Sequence, residues 1–183
     1  MDATQVTSDG LAALEARVRH DLACIDHPAA AWRPAADPVL DVLVVGAGQG
    51  GLAVAFQLLR DKVTNIRVVD RAPRGREGPW RTFARMPTLR SPKDMNGPDL
   101  GVPSLTYRAW HEARFGADDW RRTTFIPKEH WAAYLDWFRD VLALPVANGV
   151  ALLHLADADG LVAATLREAD GREHVVRCRR VVL

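Results

Sequence analysis

Three glycines at a fixed spacing are the residues of this sequence best suited to binding chemistry. Gly46, Gly48 and Gly51 follow the pattern G-x-G-x-x-G. In that pattern the first glycine permits a tight turn, the second lets the backbone approach a pyrophosphate, and the third lets the next helix pack closely on the preceding strand. The amides around Gln49 and Gly50 would face the phosphates along the positive end of the helix dipole. The spacing therefore predicts a dinucleotide-binding turn.

The residues on either side of these glycines predict the elements that must position them. The uninterrupted apolar run 42–45 is typical of a strand buried on both faces. Residues 52–59 carry apolar side chains at three- and four-residue steps, which favours a helix. A second strand, 65–69, leads to Asp70, nineteen residues after Gly51, where a carboxylate can accept hydrogen bonds from the hydroxyls of an adenosine ribose. Strand, glycine turn, helix and acid together favour a Rossmann-like fold over an unrelated glycine-rich turn.

The composition indicates an ordinary globular protein. Of 183 residues, 48% are hydrophobic and 26% charged, and the 24 Lys and Arg nearly balance the 23 Asp and Glu. A net charge of +1 gives no reason to expect nucleic acid or an anionic membrane as a partner. No apolar run approaches the roughly 20 residues of a membrane-spanning helix, and the first residues do not form a signal peptide. We therefore expect a cytoplasmic protein.

Two distant cysteines, Cys24 and Cys178, form no C-x-x-C pair. We therefore expect neither a disulfide scaffold nor a metal site.

The first forty residues predict a separate N-terminal segment. Residues 7–26 have a helical pattern, and the Pro- and Ala-rich stretch 28–38 reads as a linker. We accordingly divide the chain into an N-terminal helix and linker, 1–39, and a cofactor-binding domain, 40–183.

The middle of the chain predicts an irregular segment followed by helices. Residues 86–105 have little periodicity and contain four prolines, and we interpret this segment as an ordered wall of a site. Helices are predicted over 107–115 and 127–142. Trp110, Trp120 and Trp137 are interpreted as core or cavity-wall residues, with the core favoured. His111 and His130 are expected to be packed or surface residues rather than catalysts.

The end of the chain predicts strands. The runs 150–155, 161–167 and 174–177, separated by turn sequences, indicate a β-meander. The last run, 180–183, turns apolar, as a buried parallel strand does.

Together these features resemble the N-terminal FAD-binding part of the flavin-containing and Baeyer-Villiger monooxygenases, within the two-dinucleotide-binding flavoproteins. The resemblance covers residues 41–183, and its motifs are the glycine pattern, Asp70-Arg71, Glu77-Gly78-Pro79-Trp80, Phe125-Ile126-Pro127 and Val181-Val182-Leu183. It implies an α/β fold: a Rossmann-like three-layer ββα FAD/NAD(P)-binding domain with a parallel sheet and a β-meander, truncated at its C-terminal end.

The resemblance also implies which residues contact FAD, while no catalytic residue and no metal ligand is assigned. The pyrophosphate would lie on Gly46, Ala47, Gly48, Gln49, Gly50 and Gly51. Asp70 would bind the adenosine ribose, Arg71 would lie against adenine, and the backbone of Val150 would contact the adenine edge. The residues near the flavin would be Gly78, Pro79, Trp80 and Arg81.

The sequence departs from the family pattern at specific places. Asp70 stands where this group usually has Glu, so it would also suit NAD, and Glu77 replaces the first glycine of G-G-x-W. The asparagine that flavin-containing monooxygenases place beside the flavin has no clear match, since Asn96 falls a few residues late. Ser91 and Lys93 are the remaining candidates for this position beside the flavin, the flavin edge. Lys93 is expected to be exposed to solvent.

The implied function is that of an NAD(P)H-dependent flavin monooxygenase that oxygenates a small molecule. The family's second glycine motif, which binds NADPH, would lie beyond Leu183, so we expect the 183 residues alone to be inactive. Self-association into a homo-oligomer stays open. One alternative is an NAD(P)-dependent dehydrogenase with a single dinucleotide fold, which Trp80 and the meander disfavour. Another is a non-catalytic or truncated dinucleotide-binding module.

Overall fold

The computed structural model describes residues 3–28, 30, 38–95 and 97–183. Packing divides the chain into two compact units. The helical unit comprises Met1–Pro28 and Phe83–Leu142, and the sheet unit comprises Ala29–Thr82 and Ala143–Leu183. This grouping does not follow the boundary expected at residues 39 and 40, which stays a prediction about the limits of the cofactor-binding domain. Most of the expected linker, 28–38, lies outside the described residues.

The secondary structure alternates between the two units. In chain order the elements are α1 (Ala3–Ala23), β1 (Leu40–Val45), α2 (Gln49–Arg60), β2 (Ile66–Asp70), a short 3-10 turn (Pro103–Leu105), α3 (Tyr107–Phe115), α4 (Ala117–Arg122), α5 (Lys128–Val141), β3 (Val146–Asn148), β4 (Ala151–Ala158), β5 (Leu161–Arg167) and β6 (Glu173–Val182). Within the described part of the chain, no helix is both long and apolar enough to cross a membrane.

The sheet unit is built on one mixed sheet with the strand order β3-β2-β1-β6-β5-β4. The first three pairings, β3 with β2, β2 with β1 and β1 with β6, are parallel, and the pairings of β5 with β6 and with β4 are antiparallel. β1 is paired on both sides, with Leu43 fully buried and Val44 1% exposed. The expected buried central strand and the α/β Rossmann-like fold class are therefore confirmed.

The expectation of two separate strands at the end of the chain, 174–177 and 180–183, is wrong, because both belong to β6. It is one strand of 10 residues that pairs with β5 over its first part and with β1 over its second, and Cys178 belongs to both registers. The arginines around residue 178 hide this continuity in the sequence, because strand pairing uses the backbone whatever the side chain. One of these charges is matched locally, since Arg179 Nε donates to Asp41 Oδ1 at 3.2 Å.

The helical unit has an aromatic core. Trp110, Tyr134 and Phe138 are essentially inaccessible, and the Tyr134 hydroxyl donates to the carbonyl of Leu105 at 2.8 Å. Trp120 is 4% exposed, whereas Trp137 is half-buried and donates from Nε1 to Glu15 Oε1 at 3.3 Å. Placement in the core is thus confirmed for Trp110 and Trp120 but not for Trp137. The helix that carries Trp120, α4, is not evident from the sequence pattern.

Candidate functional site

The predicted glycine turn lies at the carboxyl end of β1, in the sheet unit. Gly46 has a φ of +104°, which an L side chain rarely adopts, and its amide donates to Val69 O at 2.7 Å. α2 then starts at Gln49, with Gly48 as its cap residue and no side chain covering the first amides from that position. The turn therefore presents the start of a helix at the edge of the sheet, as the sequence predicts.

Gly51 is required by close packing. A Cβ built on Gly51 would lie 1.8 Å from the carbonyl oxygen of Gly46 and 3.6 Å from Val44 Cγ1. Only a residue without a side chain lets α2 approach β1 so closely, which is the role expected of the third glycine.

Gly48 is different, because neither its conformation nor the protein around it demands glycine. Its φ of −68° and ψ of −177° are open to any residue. A Cβ built on it would meet Gly78 Cα at 3.7 Å, an ordinary van der Waals contact. A glycine that the fold does not need leaves room for something outside the chain to approach the backbone. We call residues 46–51, with Gly78 facing Gly48, the glycine cradle.

Asp70 supports the cradle from the end of β2. Asp70 is 8% exposed, and its carboxylate accepts hydrogen bonds from the amide of Ala47 at 2.7 Å and from the amide of Ala72 at 2.8 Å. A carboxylate offers about four acceptor positions, so these two bonds leave capacity for a hydroxyl donor. The structure brings Asp70 and the cradle together as predicted, and it adds a bracing role that the sequence does not indicate.

The two residues predicted to contact adenine, Arg71 and Val150, differ in their surroundings. Arg71 is exposed. The amide of Val150 donates to Asp70 O at 2.9 Å, so this amide hydrogen is not available to a ligand in the observed conformation. The assignment of both residues to adenine stays a prediction.

Trp80 and its neighbours follow Gly78 in the loop after β2. Trp80 is half-buried, and its indole Nε1 is buried without a hydrogen-bond partner among the described residues. Arg81 is exposed and donates from Nη1 to Gly75 O at 3.2 Å. An unsatisfied buried N–H is costly, and a ring system that carries acceptors, such as a flavin, would satisfy it. The residues present therefore fit FAD at two points: space at Gly48 and a donor at Trp80.

Asn148, which the sequence motifs do not indicate, joins this loop to the sheet. Asn148 ends β3, next to Asp70 in the parallel register. Its Nδ2 donates to Glu77 Oε1 at 2.6 Å and to Ala72 O at 3.1 Å. β3 has only three residues and no distinctive apolar pattern, so the one available signal is the turn-forming Asn-Gly pair at 148–149.

The two candidates for the flavin edge both lie in the helical unit. Ser91 is exposed. Lys93 is not, and the expectation that it is exposed is wrong: its Nζ donates to the carbonyls of Trp120 and Thr123, at 2.8 Å each, and lies 4.5 Å from the centroid of a Trp120 ring. Asn96 lies outside the described residues.

The segment predicted to form a wall lines a small cavity of about 190 Å³ within the helical unit. Its contributions from this segment are Lys93, Asp94, Met95 and Asp99, and Tyr107 and Trp120 line the cavity as well. The role of this segment as the wall of a functional site stays a prediction.

His111 and His130 are packed among other side chains of the helical unit. His111 is 1% exposed, with Nδ1 3.2 Å from the Tyr107 hydroxyl and Nε2 3.0 Å from Asp119 Oδ2. Burial, reinforced by Asp119, raises the pKa of Tyr107 above its ordinary value. His130 stacks on Phe115, with ring centroids 4.6 Å apart, and burial followed by its neighbour His111 lowers the pKa of His130.

The glycine cradle, the acid at the end of β2 and the mixed sheet together define a dinucleotide-binding flavoprotein fold. The chain belongs to the FAD-NAD(P)-binding family, whose model matches residues 43–183. This match confirms the FAD- and NAD(P)-binding class that the sequence motifs indicate.

Three similar proteins carry more specific names. The chain is 49% identical over 149 residues to an FAD-dependent urate hydroxylase from Xanthomonas campestris pv. campestris, covering 79% of this chain and 32% of that protein. The solved ornithine N-hydroxylase of Kutzneria sp. 744, a complex with reduced FAD, NADP⁺ and L-ornithine, aligns with a TM-score of 0.65 at 14% identity, over 79% of this chain and 36% of the other. A flavin-containing monooxygenase from Stenotrophomonas maltophilia aligns with a TM-score of 0.54 at 20% identity, over 78% and 37%. The chain thus spans about a third of the length of these proteins, and the two structural likenesses support the fold.

Proposed function

We propose that this chain is the FAD-binding part of an NAD(P)H-dependent flavin monooxygenase that oxygenates a small molecule. Membership of the FAD-NAD(P)-binding family supports the cofactor class. The relative named as an FAD-dependent urate hydroxylase supports FAD and a hydroxylation reaction.

The observation that carries the proposal is the unforced glycine at position 48. Conformation explains Gly46 and packing explains Gly51, but at Gly48 a Cβ would make only an ordinary contact with Gly78. A diphosphate resting on the first amides of α2 accounts for the absence of a side chain there. Asp70, at the carboxyl end of the adjacent strand, is suited to the ribose of the same dinucleotide.

FAD is favoured over NAD alone by the region around Trp80. A nicotinamide fold with a single site would continue with alternating strands and helices after β2. Here β2 is instead followed by a loop that buries the indole N–H of Trp80 without a partner among the described residues. Gly78, Pro79, Trp80 and Arg81 are proposed to border the flavin.

When bound, FAD would supply the electron-transfer and oxygen chemistry. The residues of this chain would bind and orient it: the amides of α2 the diphosphate, Asp70 the ribose, and the loop with Trp80 the ring. No acid, base or nucleophile of this chain is assigned to the reaction.

The substrate is proposed only as a small molecule, because the similar proteins are named for different ones, urate and ornithine. Urate is the first compound to test, since the urate hydroxylase is the relative with 49% identity. A cytoplasmic location, self-association and a separate NADP site stay predictions from the sequence.

Cofactor content tests the first half of the proposal. The protein is purified, its absorption spectrum recorded, and the nucleotide released by denaturation identified by chromatography. We expect a yellow protein that releases FAD. Released NAD, or no nucleotide after incubation with excess FAD, would contradict the proposal.

A chimera tests the second half. Residues 43–183 replace the matching segment of the Xanthomonas campestris urate hydroxylase, and NADPH-dependent urate consumption is measured. We expect an FAD-containing chimera that consumes urate with uptake of O₂. A folded chimera that binds FAD but leaves urate untouched would restrict this segment to cofactor binding.

A further inference from the structure

One side-chain amide joins the loop after β2 to the end of β3. Asn148 carries two amide hydrogens, and its Nδ2 contacts the carbonyl of Ala72 at 3.1 Å and the carboxylate of Glu77 at 2.6 Å. The amide of Gly149 also donates to Ala72 O, at 3.2 Å. The start and the end of the segment 72–77 are therefore held by the same residue.

The contact between Asn148 and Glu77 is short and involves a charged acceptor, which makes it stronger than a hydrogen bond between neutral groups. Both side chains are half-buried, so solvent screens the contact only in part. Glu77 is also the residue that replaces a glycine of the family's G-G-x-W element. A glycine at this position could not form the contact, so the clamp depends on this departure from the family pattern.

Gly78 connects Glu77 to the glycine cradle. It follows Glu77 directly and has a φ of +67°. The Cα of Gly78 lies 3.7 Å from the position of a Cβ on Gly48, so a shift of Glu77 would move the wall that faces Gly48. Trp80 and Arg81 continue the same loop.

We propose that Asn148 is a positioning residue for the cofactor: its amide clamps Glu77 and thereby fixes Gly78 as the second wall of the glycine cradle. This inference rests on the proposed function, because the ligand in the cradle is taken to be FAD. Asn148 acts through Glu77 and is not assigned a contact with FAD.

A charge swap tests the clamp. Asn148→Asp places a second carboxylate against Glu77, where like charges repel. Adding Glu77→Gln restores one donor and one acceptor with the roles reversed. We expect Asn148→Asp to raise the dissociation constant for FAD about tenfold or more, as expected for losing a charge-assisted hydrogen bond. The double variant should recover the part of this loss that comes from the contact with Glu77, although Ala72 O stays without its side-chain donor. A general disturbance of the fold would give no such recovery.

Limited trypsin digestion gives a readout that needs no cofactor. The loop contains the exposed arginines Arg71, Arg74, Arg76 and Arg81. We expect Asn148→Asp to be cleaved faster in this loop than the wild type, and the double variant to be cleaved at nearly the wild-type rate.

The control is Asn65→Ala, which removes another hydrogen bond from an asparagine Nδ2, here to the neutral carbonyl of Val39 at 2.8 Å, at the amino end of β2. It should alter neither the FAD dissociation constant nor cleavage in the loop. If the wild type binds FAD and Asn148→Asp binds it equally well, the positioning role is wrong although the proposed function stands. If the wild type binds no FAD, the proposed function fails and this role fails with it. Unchanged trypsin cleavage of Asn148→Asp would show that the contact between Asn148 and Glu77 does not hold the loop.

Discussion

The Cα of Gly78 lies 3.7 Å from the position that a Cβ on Gly48 would occupy. Two segments thirty residues apart in the chain thus form opposite sides of one narrow space at the start of α2. A methyl group on Gly48 would make only an ordinary contact with the protein, so we expect its cost to fall on a ligand that approaches this backbone. This separates the effect of a substitution on ligand binding from its effect on folding.

We predict that Gly48→Ala abolishes tight FAD binding and leaves the fold intact. The φ and ψ of Gly48 suit alanine, so the free energy of unfolding should change by less than about 0.5 kcal/mol. A diphosphate displaced from the amides should bind about 10- to 100-fold more weakly, since hydrogen bonds to charged groups contribute about 1.5–3 kcal/mol each. Titration of FAD fluorescence and urea unfolding measure the two effects. Cys24→Ser, at an exposed cysteine, should change neither, and retention of FAD by Gly48→Val would refute the phosphate assignment.

Gly51→Ala, in contrast, should destabilise the fold itself, because the added Cβ would lie 1.8 Å from the backbone oxygen of Gly46. Neither backbone segment can yield without separating α2 from β1. We expect a loss of at least about 3 kcal/mol in the free energy of unfolding, at the upper end of the cost of overpacking. The comparison is Gly50→Ala, where a Cβ meets nothing within 4 Å and helix propensity should stabilise the fold by up to about 1 kcal/mol. Equal urea midpoints for the two variants would contradict the claim that α2 packs too closely on β1 for a side chain at position 51.

The features that could be predicted from the sequence are those that follow from local pattern. The glycine turn, β1, α2 and Asp70 all lie within residues 40–70, and each has a strong signal: an apolar run, a glycine spacing, a helical period and an acid at a strand end. The helices α3 and α5 were predictable for the same reason.

The features that escape prediction depend on contacts between distant residues. Asn148 contacts Glu77 across 71 positions, and Lys93 contacts the carbonyls of Trp120 and Thr123 across 27 and 30 positions. The sequence around Asn148 or Lys93 contains no local pattern from which a contact with so distant a residue could be predicted. The grouping of α1 with residues 83–142 is equally non-local, which is why the N-terminal segment reads as separate in the sequence.

Lys93→Met should destabilise the helical unit. Lys93 places a positive charge at the carboxyl end of α4 and donates to the carbonyls of Trp120 and Thr123, an arrangement that favours the helix end. Methionine keeps the apolar stem but leaves these carbonyls without the donor, so we expect a loss of about 1–3 kcal/mol in the free energy of unfolding. FAD affinity should not change if Lys93 has no part in the flavin edge. The exposed Lys62 supplies the control Lys62→Met, and a selective loss of FAD by Lys93→Met would restore Lys93 as a cofactor residue.

Stability should fall on acidification through His130. Burial, then the neighbouring His111, lowers the pKa of His130 below its ordinary value of 6.5 in the folded chain, so the unfolded chain binds the proton more readily. The stability associated with neutral His130 is therefore fully present above about pH 6.5 and is lost as the pH falls below that value toward the folded pKa. His130→Phe keeps an aromatic ring against Phe115, whose centroid lies 4.6 Å from that of His130, and removes the titration. Urea unfolding between pH 7.5 and pH 5 should give a smaller loss of stability for His130→Phe than for the wild type, with the exposed His154 changed to Gln as the control. The same pH dependence in wild type and His130→Phe would assign the acid sensitivity to other groups.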